Sequence, residues 1–317
     1  MNITGLHHVT AIAGNPQRNL DFYAGLLGLR FVKRTVNFDD PGSYHFYFGD
    51  AIGTPGTILT FFSWPGARRG MHGSGEISAI AFAIPTGSAG YWLERLKEQH
   101  VSAERAPRRF GEEVVRFADP DGTPIELIES MPSTEVQPWT KSQVPPEHSL
   151  RGFHSVSAAL DGYKGTAKLL TETFGYRLIQ QEGNRIRFAA PGEPGVGRTI
   201  DLVHAANRQP ARIAAGSVHH IAFRVVDDEQ QMALRQKIVG LGCNVSPVMD
   251  RTYFHSIYFH EPGGVLFEIA TDPPGFTKDE AVDELGTHLC LPPWMEPARP
   301  QIEESLPNIV LPTLTTV

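Results

Sequence analysis

The dipeptide His-His occurs twice, at His7-His8 and His219-His220, each time heading an apolar run; only the second copy is followed about one module later by a Gly-Val-Leu-Phe-Glu segment that ends in Glu268. One histidine from each pair, His8 and His220, together with Glu268, has the composition of a 2-His-1-carboxylate facial triad. That ligand set holds a divalent metal, typically non-haem Fe(II), on one face and leaves the other open. A metal-dependent enzyme is therefore the leading expectation.

The elements that must carry these residues repeat. Four similar strand-like starts lie at 5–12, 77–84, 152–159 and 218–225, about 70 residues apart, the spacing of a structural module rather than of a short solenoid repeat. Each is followed by a stretch with helical spacing, at 19–27, 91–97, 166–174 and 230–239. Three of these end near Gly28, Gly175 or Gly242, where a left-handed cap favours a residue without Cβ. Short β-rich runs come next, so the unit reads β-α-β-β-β. The segment ending at Glu126 aligns without gaps on the one ending at Glu268, and both contain an acidic-Pro-Asp/Gly-Gly turn. A duplicated hairpin explains the shared glutamate, and module two has Ser78 and Ala79 where histidines would stand, so Glu126 reads as structural. Asp201 in module three lacks a partner histidine in the same way.

The reading is an α+β chain of four βαβββ modules forming two cupped mixed sheets, with modules at 1–70, 71–148 including a proline-rich linker, 149–212 and 213–272, and a tail at 273–317. The 41% hydrophobic content supports a real core, and a net charge of -7 with scattered Lys and Arg recommends neither nucleic acid nor an anionic membrane as partner. Two cysteines, Cys243 and Cys290, make no disulfide framework or Cys-x-x-Cys motif. With no signal-peptide pattern at the N-terminus, a cytoplasmic location is expected. A homo-oligomer is allowed.

The four modules, the strand-opening His-His and the Pro262-Gly-Gly-x-x-Phe-Glu ending resemble the vicinal oxygen chelate superfamily, and within it the hydroquinone ring-cleaving dioxygenases of the MhqO type. The likeness runs from Leu6-His-His-Val-Thr-Ala-Ile through Gly28-Leu-Arg-Phe-Val-Lys-Arg-Thr-Val-Asn and Gly53-Thr-Pro-Gly-Thr to Phe267-Glu-Ile-Ala-Thr-Asp-Pro-Pro-Gly-Phe. It implies Fe(II), with Mn(II) as the other metal considered, held by His8, His220 and Glu268, and an extradiol-type reaction of an aromatic substrate with O2. It also implies supporting roles for His7, Thr10, His219, Arg251 and Tyr258.

In the catechol-cleaving branch the first histidine comes from module three. Here Ser155 holds that position, and strand alternation should turn His154 away from the pocket if Ser155 points in. His7 or His219 is expected to take a proton from the substrate hydroxyl. Arg251 would supply positive charge and Tyr258 a hydroxyl donor to developing oxygen anions, although Arg251 has Asp250 as a ready ion-pair partner. Inner-facing Phe residues should sandwich the ring, and His45 and His255 are the other histidines expected at the pocket rim. The alternatives are a glyoxalase-like isomerase or thiol transferase and a metal-free aromatic-ligand-binding protein. The metal reading requires modules one and four to share one sheet.

Overall fold

The computed structural model describes residues 3–131 and 136–312. In chain order the strands and helices are β1 (Leu6–Ala13), α1 (Pro16–Leu20, continuing as a π-helical turn over Asp21–Leu26), β2 (Arg30–Asn37), β3 (Asp40–Gly49) and β4 (Ile58–Ser63). Next come β5 (Glu76–Pro85), α2 (Ala89–Glu98), β6 (Ala103–Arg109), β7 (Glu112–Ala118) and β8 (Pro124–Ser130). The third set is β9 (Phe153–Leu160), α3 (Lys164–Lys168, again running into a π-helical turn, Leu169–Thr173), β10 (Arg177–Glu182), β11 (Arg185–Ala189) and β12 (Thr199–His204). The fourth is β13 (Val218–Val225), α4 (Asp228–Gly240), β14 (Met249–Asp250), β15 (His255–His260) and β16 (Leu266–Thr271), followed by α5 (Arg299–Ser305) in the tail.

The helices begin and end where local chemistry dictates. Asn15 accepts from the Arg18 N–H ahead of α1, and Asp227 accepts from the Gln230 N–H ahead of α4, each satisfying a backbone donor that the first turn leaves free. Gly28, Gly175 and Gly242 all take positive φ, +73°, +80° and +84°, as the helix-ending glycines require.

Two eight-stranded sheets result, ordered β14-β15-β16-β13-β1-β4-β3-β2 and β10-β11-β12-β9-β5-β8-β7-β6. The first and fourth sets of strands thus share one sheet through the antiparallel pair β1·β13, and the second and third share the other through β5·β9. One face of each sheet enters a common core with the helices, through residues such as Val9, Phe61, Ile221 and Phe267 in the first and Ile80, Val156 and Ile200 in the second. The alternate residues face a concave side. In the first sheet that side carries its own apolar cluster, including Tyr47, Ile58, Ala222, Phe254 and Ala270.

The tail is more ordered than its proline content suggests. Phe276 packs on Tyr47 and Tyr253, the Lys33 ammonium, fully buried, meets Asp279 at 2.6 Å and Glu280 at 2.5 Å, and Tyr253 donates to Asp279 at 2.9 Å. These contacts tie the edge strand β2 to the segment after β14, at the opposite edge, so the tail helps close the curled sheet. Among the described residues no helix is long and apolar enough to cross a membrane.

Candidate metal centre

His8 from β1, His220 from β13 and Glu268 from β16 converge on the concave side of the first sheet, all buried. Their positions follow from register. Thr10 stands opposite His220 across the antiparallel pair, and Ala222 stands beside Glu268 across the parallel pair. Because side chains two residues apart share a face, the two histidines and the glutamate face the same way.

The Glu268 Oε2 atom lies 3.2 Å from His8 Nε2 and 2.9 Å from His220 Nε2. Ligand atoms about 2.1 Å from one metal and at right angles to each other stand about 3 Å apart, so these edges fit one face of an octahedron. Despite the short distances Oε2 has no aligned hydrogen-bond donor. Its partner oxygen Oε1 accepts from the Ser256 hydroxyl. A buried carboxylate oxygen without a donor, facing two imidazole nitrogens, is what a cation would satisfy.

Each His-His pair sits at a β-bulge. Register shifts leave His7 as the extra residue between the pairs Leu6–Phe223 and His8–Ala222, and His219 as the extra residue between Thr10–His220 and Ala11–Val218. A bulge re-aims side chains, and here it brings neighbours that would otherwise diverge into contact. The Nδ1 atoms are 2.9 Å apart in His7–His8 and 2.8 Å apart in His219–His220. If Nε2 of His8 or His220 is to bind a metal, its Nδ1 must carry the proton and donate to the outer histidine, which fixes ring orientation. Burial, reinforced by the His8 charge, holds the His7 ring well below the usual imidazole range, and burial with the His220 charge brings His219 down to about 3. Both are therefore neutral at physiological pH. With their Nδ1 atoms accepting and their Nε2 atoms carrying the proton, they would be set to orient the inner histidines.

Burial alone would raise the Glu268 carboxyl, but the nearby His8 and His220 hold it well below the ordinary carboxylate range. Tyr258 stands directly opposite Glu268 across β15·β16, and its hydroxyl accepts from Arg251 Nε at 3.2 Å. Burial, then the Glu268 charge, pushes the Tyr258 phenol up, so it remains a donor. Arg251 pairs not with Asp250 but with Asp39, at 3.3 Å.

His8, His220, Arg251 and Tyr258 line a cavity of about 310 Å³ with Thr10, His45, Phe62, Trp64 and Phe254 among its walls, and Glu268 lies fully buried behind the two histidines. His219 reaches the cavity and His7 does not; His7 instead lies behind His8, its ring 5.0 Å from Phe254. The expected aromatic walls are present as Phe62 and Phe254. His45 lines the cavity as expected, whereas His255 does not: it pairs with Asp228 at 2.6 Å. Sequence reasoning did not single out Ser256, Asp39, Thr60 or Tyr47, whose placement depends on cross-strand register.

The second sheet repeats the architecture with different chemistry. Ser78 and His154 are the bulged residues there, so simple alternation does not govern His154; its Nδ1 lies 3.0 Å from Ser155 Oγ and its Nε2 2.9 Å from Glu112. Glu126 and Asp201 occupy the strand positions equivalent to Glu268. Arg109 grips Glu126 with two bonds of 2.6 Å, and Arg187 and Arg185 meet Asp201 at 2.8 and 3.0 Å. Guanidinium groups supply the positive charge in this cup.

The model of the Glyoxalase/Bleomycin resistance protein/Dioxygenase superfamily matches residues 5–127 and 152–269. The chain is 45% identical over 95% of its length, and 95% of the relative's, to MhqO of Bacillus subtilis, whose name provisionally describes a ring-cleaving dioxygenase. It is 35% identical, with 95% of both chains covered, to the chlorohydroquinone/hydroquinone 1,2-dioxygenase of Sphingobium indicum. A crystal structure from Bacillus subtilis, described provisionally as a dioxygenase, superposes with a TM-score of 0.94 at 44% identity and covers 99% of each chain. Family model, full-length similarity and fold agree: the chain belongs to the Glyoxalase/Bleomycin resistance protein/Dioxygenase superfamily, among its ring-cleaving dioxygenases.

Proposed function

We propose that the protein is an Fe(II)-dependent, extradiol-type dioxygenase that opens the ring of a hydroquinone or related dihydroxylated aromatic and inserts both atoms of O2. The observation that carries this reading is the convergence of His8, His220 and a donor-less Glu268 Oε2 on one point of a cavity with aromatic walls. A divalent iron held there would bring ring hydroxyl and O2 together and let electron density pass between them; Mn(II) suits the same donors.

The chain's own residues do the remaining work. His7 and His219 hold the inner imidazoles with Nε2 toward the cavity. Ser256 fixes Glu268 through the other carboxylate oxygen. Tyr258, protonated and held by Arg251, offers a hydroxyl donor, and the permanent Arg251 charge favours negative charge developing on oxygen nearby. Phe62 and Phe254 offer faces against which a ring can pack.

The test is anaerobic reconstitution with Fe(II), then oxygen uptake with hydroquinones, catechols and a methylglyoxal-glutathione adduct. Uptake with stoichiometric ring opening of a hydroquinone supports the reading. Turnover of the adduct alone would replace it with a glyoxalase-like activity.

A further inference from the structure

The metal-ligand half of the first cup has a structural counterpart in its other half. Glu268 on β16 lies beside Ala222 and opposite Tyr258; Thr60 on β4 lies beside Thr10 and opposite Tyr47. Ser256, two residues before Tyr258, donates to Glu268, and His45, two residues before Tyr47, meets Thr60 through Nε2 at 2.9 Å. Where one half offers a carboxylate, the other offers a hydroxyl.

That hydroxyl belongs to a continuous chain. Thr10 Oγ1 is 2.8 Å from Thr60 Oγ1, Thr60 is bonded to His45 Nε2, and His45 Nδ1 is 3.1 Å from the Tyr47 hydroxyl. Thr10, His45 and Tyr47 all line the cavity. The chain is uncharged: burial holds His45 well below the imidazole range and pushes the Tyr47 phenol up. It can run in either direction. With Tyr47 donating to Nδ1, His45 donates to Thr60, Thr60 to Thr10, and the Thr10 proton faces the cavity. With the imidazole tautomer reversed, Thr10 accepts instead.

We propose that this wall is the subsite for the second oxygen of the substrate, and that it selects rings hydroxylated at opposite positions. The assignment rests on the dioxygenase reading of the same cavity. In a 1,4-dihydroxylated ring the two oxygens point in opposite directions, so one directed at His8, His220 and Glu268 sends the other across the cup. In a 1,2-dihydroxylated ring both oxygens point toward the ligand set and the Thr10–Thr60–His45 wall is left without a partner. A polar site left unpaired discriminates strongly against the analogue that cannot fill it. Thr10, Thr60 and His45 are thus positioning and specificity residues.

The experiment is anaerobic calorimetry on the full-length, Fe(II)-loaded protein with hydroquinone, 4-methylphenol and catechol, with iron content measured in parallel. Wild type should bind hydroquinone roughly tenfold more tightly than 4-methylphenol. Thr60→Val, close in shape, and His45→Phe should each compress that ratio to about threefold or less while leaving 4-methylphenol affinity and iron content unchanged. Thr60→Ser, which keeps the hydroxyl, should restore it. No preference in wild type, a preference retained in both Thr60→Val and His45→Phe, or a Thr60→Ser that behaves like Thr60→Val would each overturn the proposal. Oxygen uptake by wild type separates the two readings: discrimination without uptake removes the dioxygenase and keeps the subsite, and uptake without the predicted change in ratio does the reverse.

Discussion

Arg251 and Asp39 meet at 3.3 Å although they stand at opposite edges of one eight-stranded sheet, Arg251 just after β14 and Asp39 in the turn before β3. The sheet curls far enough for its edges to face each other across the cavity, and Asp39 holds the guanidinium whose Nε reaches Tyr258. Arg251→Ala and Tyr258→Phe should therefore keep near-normal metal content yet slow ring opening, each by roughly a hundredfold. Steady-state oxygen uptake on metal-loaded protein checks this, and unchanged turnover in both variants would assign them a packing role.

Metal stoichiometry should be about one per chain, because one cup holds a histidine-carboxylate set and the carboxylates of the other are neutralised by Arg109, Arg185 and Arg187. His220→Ala and Glu268→Ala should lose most of the metal, and Glu126→Ala should not. Elemental analysis after dialysis decides. Two equivalents in the wild type would contradict the assignment.

The fully buried Lys33, held by Asp279 and Glu280 from the tail, makes a prediction about stability. Glu280→Gln leaves the buried ammonium paired with the less buried Asp279, so it should cost about 2 kcal/mol rather than the larger cost of a fully unpaired charge. Lys33→Met with Glu280→Gln together should be milder than the sum of the two single changes, because the ammonium and its buried partner leave at once while Asp279 keeps its bond from Tyr253. Chemical denaturation of the four proteins measures the coupling.

Glu112 gives a pH signature. Its burial would raise its pKa, but His154 and Arg187 pull the carboxyl down to about 2, from an ordinary value of 4.5. A folded-state pKa below the unfolded one means that the carboxylate's stabilisation is fully present above pH 4.5 and fades as pH falls toward about 2. Glu112→Gln should therefore be less stable than wild type near neutrality, by on the order of 2 kcal/mol, with the two stabilities converging as the medium is acidified from pH 4.5. A gap that widens on acidification would show that Glu112 acts otherwise.

By itself the sequence determined the modules, the glycine-ended helices and the identity of the three converging side chains, because these depend on local periodicity, turn chemistry and residue type. His8, His220 and Glu268 were legible since their residue types are scarce together and sit at matching strand positions. The tertiary structure decided what depends on register between strands far apart in the chain. The bulges at His7 and His219 bring adjacent histidines into contact, where plain alternation would have separated them, and the same effect at His154 defeated the alternation argument. Asp39 beside Arg251, and Thr60 linked to His45, are juxtapositions made by sheet curvature and cross-strand pairing, which no residue's neighbours in sequence encode.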